Sequence, residues 1–126
     1  MKKLISTTKA PAAIGPYSQA NFANGILYIS GQIPLNSENG KLAEGIVKET
    51  HQVMKNLEAV LAEAGMTFVN VVKATIYLKN MDDFAVMNEI YASYLDAENF
   101  PARETVQVSC LPKNVDIEIS MIAHQF

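Results

Sequence analysis

The sequence predicts an α+β domain in which two helices pack on one face of a mixed sheet of about six strands. Three observations lead to this prediction: strand pairs stand near both ends of the chain, two segments have helical apolar spacing, and a strictly alternating segment separates them. The chain has 126 residues, of which 49% are apolar. A chain of this length buries enough surface to fold without disulfides or a structural metal. We therefore expect residues 1–126 to form a single domain.

The first predicted element is a β-hairpin over residues 18–30. Asn24 and Gly25 separate two strand-like segments, SQANFA and ILYIS. Both residues tolerate the positive φ angles of a tight two-residue turn. A second polar turn at residues 36–40 separates QIPL from KLAEG, so we expect strand structure to continue for a short way.

Two helices are predicted, with one strand between them. From Glu44 or Gly45 to Ala64, apolar residues recur every three or four positions, and Gly65 supplies the C-terminal stop. The segment NVVKATIYLK then alternates apolar and polar residues, as a half-buried strand does. The second helix is expected to begin near Asn80, a good capping residue, and to end near residue 95 or 96. Its predicted buried residues are Phe84, Met87, Tyr91, Tyr94 and Leu95.

The C-terminal part predicts a second β-hairpin. The segments RETVQVS and DIEISMIAH both alternate, and LPKN between them is typical of a turn. The chain order is therefore hairpin, helix, strand, helix, hairpin. If LPKN closes this hairpin, Arg103 and Glu118 lie on its two strands, on polar faces, and the register decides whether they meet.

The composition excludes several classes of function. Cys110 is the only cysteine, so an internal disulfide is impossible, and two His and one Cys make a dedicated metal site improbable. No glycine-rich nucleotide-binding motif is present. The net charge of -3 and the lack of a basic, aromatic face disfavour nucleic-acid binding. Neither His51 nor His124 belongs to a recognisable nucleophile motif, and Cys110 is expected to be a passive thiol. We expect no metal.

The segment Ala10–Ser37 contains 28 residues without a charge or a histidine. Its prolines, glycines and polar side chains would leave unpaired polar groups in lipid, so it does not predict a membrane span. Two explanations stay open. The segment is either a buried strand region with its turns, or a surface covered by another subunit, since interface cores are poor in charges. The N-terminus lacks a signal-peptide core, and we expect a cytoplasmic protein.

Two charged residues are candidates for chemistry. Arg103 follows FPA at the start of a predicted strand, and its guanidinium can bind a carboxylate through two parallel hydrogen bonds. Composition alone favours a solvated strand end for this arginine. Glu118 lies between Ile117 and Ile119, where a partly buried carboxylate could hold or deprotonate a water. An ion pair with a cross-strand Lys or Arg explains Glu118 equally well.

Four further residues are candidates, three for a polar side chain and one, a glycine, for the close approach to the backbone that it allows. Tyr17 could donate a hydrogen bond or a proton, Ser30 could orient a substrate amine or water, and Gly31 would let a ligand approach the backbone closely. The alternative for Tyr17 and Ser30 is an ordinary core or strand position. Asn88 lies on the apolar stripe of the second helix, where a buried hydrogen bond is the favoured explanation.

Several motifs together resemble the Rid family of reactive-intermediate deaminases, also called the YjgF family. They are APAAIGPYSQA, YISGQIP, VVKATIYLKN between the two helices, FPAR and LPKNVDIEI, in this order from about Ile5 to Ala123. The resemblance implies an α+β domain like that of a chorismate mutase, assembled as a homotrimer with three pockets between subunits. It would also explain the uncharged segment as pocket and interface.

The resemblance also implies roles for individual residues. In the Rid family, the arginine of FPAR binds the substrate carboxylate, which is Arg103 here, and the glutamate of I-E-I, assigned to positioning water, is Glu118. The tyrosine of GPY is Tyr17, the serine of SGQ is Ser30 beside Gly31, and Asn88 lines the site.

The chain departs from many bacterial members at one position, because Thr105 stands where they have a cysteine. The backbone amide there is thought to contact substrate, so a threonine is compatible with catalysis but not with thiol-based regulation. The activity expected from the resemblance is cofactor-free hydrolysis of short 2-imino acids to 2-oxo acids and ammonia. One alternative is a non-catalytic trimer that senses 2-oxo acids. The other is RNA cleavage or translation inhibition, which the excess of acidic over basic residues disfavours.

Overall fold

The computed structural model describes residues 1–126 and has one six-stranded mixed sheet with two α-helices on one face. The predicted α+β fold is thereby confirmed. The strands are β1 (Lys3–Ile5), β2 (Ala20–Ala23), β3 (Ile26–Gln32), β4 (Val71–Leu78), β5 (Ala102–Gln107) and β6 (Ile117–His124). The helices are α1 (Ile46–Glu63) and α2 (Phe84–Ser93). Neither helix is long and apolar enough to cross a membrane.

The N-terminal half of the sheet follows the predicted hairpin. Strands β2 and β3 pair antiparallel around Asn24 and Gly25, whose φ angles are 52° and 78°. Strand β1, which the sequence analysis did not assign, adds antiparallel to β2. After β3, the expected continuation of strand structure is reduced to a single bridge between Leu35 and Leu42.

The predicted C-terminal hairpin is wrong. The sheet order is β1-β2-β3-β6-β4-β5, so β4 lies between β5 and β6. Strand β5 pairs parallel with β4, and β6 pairs antiparallel with both β4 and β3. Burial explains this arrangement: every second residue of β6 is buried, whereas β5 has no buried residue and occupies the edge. Residues 112–114 do form a tight turn, but it leads the chain past the end of β4.

The helices cover one face of the sheet and leave the other open. Helix α1 begins at Ile46 and is followed by Gly65 with a φ of 74°, close to the predicted ends. Asn80 caps a short 3-10 turn that precedes α2, so the second helix is shorter than predicted. The side chains of α1 that reach the core are fully buried, and so are the strand residues beneath the helices: Val53, Met54, Leu57, Val60, Leu61, Ala74, Ile76, Leu78, Ile117 and Ile119. The alternate residues of β4 and β6 face the open side.

Candidate functional site

A cleft of about 600 Å³ lies around Glu118. All but three of its lining residues come from the uncharged segment 10–37; the exceptions are Pro112, Lys113 and Glu118. The uncharged segment therefore forms most of the cavity wall, and Glu118 contributes the only carboxylate. This placement brings together Tyr17, Ser30, Gly31 and Glu118, four of the residues that the sequence analysis singled out.

Gly31 and Glu118 fit against each other. The pairing of β3 with β6 shifts register between Ile29 and Gln32, and this shift sets Gly31 against the Glu118 side chain. A Cβ atom at position 31 would collide with the Glu118 carboxylate. The space that a glycine leaves here is filled by this carboxylate, whereas the sequence analysis expected a ligand to use it.

Glu118 is half-buried and has no ion-pair partner, because the one ion pair of the structure joins Lys73 to Glu104. The cross-strand ion pair considered for Glu118 is thus not formed. Burial raises the pKa of the Glu118 carboxyl above its ordinary value of 4.5. A carboxylate with a raised pKa accepts a proton more readily, which is the property that a general base requires.

The two hydroxyl groups of the cleft differ in whether their hydrogen is already donated in a hydrogen bond. Ser30 donates its hydroxyl hydrogen to the Ser18 carbonyl oxygen at 2.6 Å, which leaves its oxygen free to accept. Tyr17 is 53% exposed, so its hydroxyl is free to donate. The cleft therefore offers a hydrogen-bond acceptor at Ser30 and a donor at Tyr17.

Gln19 holds the cleft wall in place, and the sequence analysis missed it. Its buried side chain donates to the carbonyl oxygens of Ala10 and Pro11, at 3.3 and 2.7 Å, and accepts the N–H of Thr7 at 2.7 Å. These bonds fix the loop that carries Tyr17. A polar residue in an otherwise uncharged segment was the available signal, since a buried amide must find partners.

Arg103 lies in a second, smaller cavity of about 390 Å³. It donates to Asn88 Oδ1 at 2.6 Å. The guanidinium carbon lies 5.5 Å from the ring centre of Phe84 and 5.1 Å from that of Tyr91. Such cation–π contacts hold the guanidinium without neutralising its charge. The solvated strand end favoured from composition is therefore wrong, and Asn88 makes the expected hydrogen bond, with Arg103 as its partner.

Other candidates lie outside both cavities or at their margin. The Thr105 hydroxyl is buried without a hydrogen-bond partner. Cys110 is exposed. His51 Nδ1 of α1 lies 2.6 Å from the hydroxyl of Tyr94, the residue that follows α2, and His124 stacks on Phe126. No group of three or more His, Cys, Asp or Glu side chains converges.

The two cavities lie on opposite faces of the sheet. Arg103 is paired with Ala74, which is buried beneath the helices, whereas Glu118 is paired with Tyr77 on the open face. Directly paired residues share a face. Within one chain, the Arg103 guanidinium and the half-buried Glu118 carboxyl are therefore separated by the sheet, and the polar faces predicted for the two residues are not the same face.

Comparison with known proteins gives consistent matches over nearly the whole chain. Residues 7–125 match the family model described as endoribonuclease L-PSP. The chain is 54% identical to the "Putative regulator AldR" of Lactococcus lactis, with 96% of each chain covered. It is 49% identical to the 2-iminobutanoate/2-iminopropanoate deaminase of Mus musculus, covering 99% of this chain and 93% of that one. A Rid-family protein from Yersinia pestis has a structure with a TM-score of 0.96 at 52% identity, covering 98% and 99% of the two chains.

Proposed function

Because the chain belongs to the Rid family, whose model carries the endoribonuclease L-PSP description, we propose that it hydrolyses short 2-imino acids to 2-oxo acids and ammonia. The observation that carries this proposal is the half-buried Glu118 carboxyl, which lacks an ion-pair partner and faces a cleft that also contains the Tyr17 and Ser30 hydroxyls. The name of the mouse relative supports the substrate class. We propose no cofactor, because imine hydrolysis needs only water and proton transfer.

The proposed reaction adds water to the C=N carbon. Arg103 binds the substrate carboxylate through two parallel hydrogen bonds. Glu118 takes a proton from the water as its oxygen attacks, which gives a tetrahedral aminoalcohol. Tyr17 delivers a proton to the nitrogen while Ser30 accepts a hydrogen bond from the substrate N–H. Glu118 then gives its proton to the nitrogen, the C–N bond breaks and ammonia leaves, while the hydroxyl passes its proton to the Tyr17 oxygen and becomes the carbonyl of the 2-oxo acid. Such acid-base assistance accelerates a reaction by roughly 100- to 10,000-fold.

We propose that the complete site forms between two copies of the chain in a homotrimer. Arg103 and Glu118 lie on opposite faces of one sheet, so one chain cannot bring both to one small substrate. The trimer implied by the resemblance would place the Arg103 cavity of one copy against the Glu118 cleft of the next. In that arrangement Asn88 fixes Arg103, Gly31 admits the Glu118 carboxylate, and the Thr105 backbone amide contacts the substrate.

The chain is proposed to act as one domain in the cytoplasm. A single cluster of 22 buried residues joins both helices to the sheet, which supports one folding unit. The cytoplasm is a reducing compartment, where an exposed free thiol such as that of Cys110 persists.

A coupled assay tests the proposed activity. A threonine dehydratase generates 2-iminobutanoate in the presence of semicarbazide, and the wild-type protein or its Arg103→Ala variant is added. We expect faster 2-oxobutanoate release and less semicarbazone with the wild type only. An equal yield with wild type, variant and buffer, while the oligomer stays intact, would refute the deaminase proposal.

A second candidate is a trimer that binds 2-oxo acids without turning them over. It is favoured by one observation, namely that a relative 54% identical to this chain has a name that describes a regulator. Saturable binding of 2-oxobutanoate without imine hydrolysis would identify this function.

RNA cleavage, the activity in the family model's description, has less support from the site. Neither His51 nor His124 lines the cleft, which contains one carboxylate and one lysine. A nuclease-free preparation that leaves RNA intact would remove this candidate.

A further inference from the structure

The molecule contains two tight turns of the same kind, built from different residues. In each turn both central residues have positive φ angles: 52° and 78° at Asn24 and Gly25, and 55° and 56° at Lys113 and Asn114. Such turns favour Asn, Asp or Gly at both central positions. The first turn follows this preference, whereas the second has a lysine at its first central position.

Lys113 is a strained choice for this turn. An ordinary side chain in the left-handed region brings its Cβ close to the following carbonyl oxygen, which only Gly and, to a lesser degree, Asn or Asp avoid. The turn itself is closed by backbone atoms, with the Val115 N–H donating to the Pro112 carbonyl oxygen at 3.4 Å. Lys113 is exposed and makes no ion pair. Neither packing nor an ion pair within the chain accounts for a lysine here.

The location of Lys113 suggests a reason. It lines the cleft with Tyr17, Ser30 and Glu118, and it is the only basic residue that does so. The protein has a net charge of -3, and the cleft itself contains a carboxylate. The charges of this chain would therefore repel an anionic substrate unless a local cation offset their field. Lys113 is the cation that the chain of the cleft itself supplies, in addition to the Arg103 that the proposed trimer brings from a neighbouring copy. Backbone strain and broken local preferences concentrate at functional positions.

We propose that Lys113 recruits the anionic substrate, attracting the carboxylate of a small 2-imino or 2-oxo acid into the cleft. This inference rests on the proposed function for the class of ligand. The role differs from that of Arg103, whose planar fork requires a fixed geometry. The Lys113 ammonium acts as a point charge, and any cation of similar reach can replace it.

Charge variants provide the first test, in the coupled assay with varied 2-imino acid supply. Lys113→Gln is expected to raise KM about 3- to 10-fold at low ionic strength, with kcat unchanged within about twofold. The matched control Lys55→Gln removes the same charge from the exposed side of α1 and should leave KM unchanged. The difference should shrink at about 0.5 M salt, where exposed charges are screened. Lys113→Arg should retain the wild-type KM, whereas Arg103→Lys should not.

The variant Lys113→Gly separates recruitment from turn geometry. Glycine relieves the left-handed strain and removes the charge, so the melting temperature should rise by roughly 3 °C while KM rises as much as in Lys113→Gln. A stabilised Lys113→Gly with wild-type KM, together with a wild-type KM for Lys113→Gln, would overturn the proposal.

Binding measurements keep this test distinct from that of the deaminase activity. Calorimetric titration with 2-oxobutanoate should give a Kd raised about 3- to 10-fold by Lys113→Gln, even if the wild type hydrolyses no imine. Turnover that is insensitive to Lys113 would overturn the recruitment role and leave the deaminase intact. Lys113-dependent binding without turnover would overturn the deaminase and leave recruitment intact. Absence of both binding and turnover would overturn both.

Discussion

The two cavities place their charged groups by different means. In the cleft, Glu118 is set by the backbone, because β6 presents it beside Gly31 and the surrounding loop is tied down by Gln19. In the other cavity, Arg103 stands on an edge strand and is held by side chains of α2. One chain therefore carries a carboxylate half and a guanidinium half, on opposite faces of its sheet. For the proposed reaction, neither half alone is a complete site.

Removing the proposed base from the cleft should give the largest effect. Glu118→Gln keeps the size of the side chain but accepts no proton, so kcat should fall by roughly 100- to 10,000-fold. Because burial raises the pKa of Glu118, the acid limb of the wild-type kcat/KM profile should lie above 4.5. The measurement is the coupled assay across pH, with size-exclusion chromatography as the control for assembly. Full activity in this variant would mean that the water is positioned by another group.

Changing the cation in the other half should give the next largest effect. Arg103→Lys keeps the charge but loses the two parallel hydrogen bonds and the planar group that stacks on Phe84 and Tyr91, so kcat/KM should fall about 100-fold. Initial rates at several substrate levels measure this loss. Near-normal turnover by the lysine variant would show that charge alone is sufficient and that the two halves do not differ as described.

The fit between Gly31 and Glu118 predicts a smaller effect, confined to the cleft. In Gly31→Ala the new Cβ displaces the Glu118 carboxylate, so kcat should fall about 10-fold. The same substitution at Gly40 serves as the control for activity, because its Cβ would meet nothing within 4 Å; its φ of 71° strains an alanine, so this control should lose stability but keep its kcat. If Gly31→Ala matches the wild type in kcat, the close approach of these two residues does not position the carboxylate.

The helix face has its own buried carboxyl, which should affect stability and not activity. Glu49 is buried and accepts the N–H groups of Gly45 and Asp116, at 3.2 and 2.8 Å. Burial and the neighbouring Asp116 carboxyl raise the pKa of Glu49 from 4.5 to about 7. The folded state therefore binds more protons than the unfolded state between these values, and stability falls as the pH rises through this window.

The pH dependence of stability that Glu49 causes is the smallest predicted effect. From pH 5 to pH 8 the wild type should lose on the order of 2 kcal/mol of unfolding free energy, and Glu49→Gln should flatten this dependence. Urea denaturation at several pH values measures the change, and the coupled assay should give an unaltered KM. A wild-type stability that rises across this range would contradict the assignment to Glu49.

The sequence predicted the individual helices and strands better than it predicted which strands pair with each other. Periodicity located α1, β4 and β6, and Asn24 with Gly25 located the first hairpin, because these signals are local. Which strand lies beside β4 depends on the relative burial of β5 and β6, and a turn at LPKN permits a hairpin without requiring one. The three residues of β1 are too few to show an alternation.

The same limit applies to the candidate site. Motifs named Tyr17, Ser30, Gly31 and Glu118 of the cleft, since each of these residues stands in a short contiguous motif. The resemblance names Asn88 for the site of Arg103, but β5 does not predict that α2 surrounds the guanidinium, because the periodicity of α2 places Asn88, Phe84 and Tyr91 on a buried stripe. Alternation divides β5 into two faces but does not tell which face the helices cover. For Lys113 the sequence predicts only a turn, since strain at a lysine becomes visible only in its φ angle.

Complementation between two inactive variants tests the central claim most directly. Arg103→Ala and Glu118→Gln are unfolded together in equal amounts, refolded and assayed, with each variant alone as the control. Because every mixed trimer would contain one site with both residues intact, activity should recover to about a quarter of the wild-type level. Ion-exchange chromatography separates the mixed trimers, since the variants differ in charge. Mixed trimers that are no more active than the parent variants would contradict a site shared between two copies of the chain.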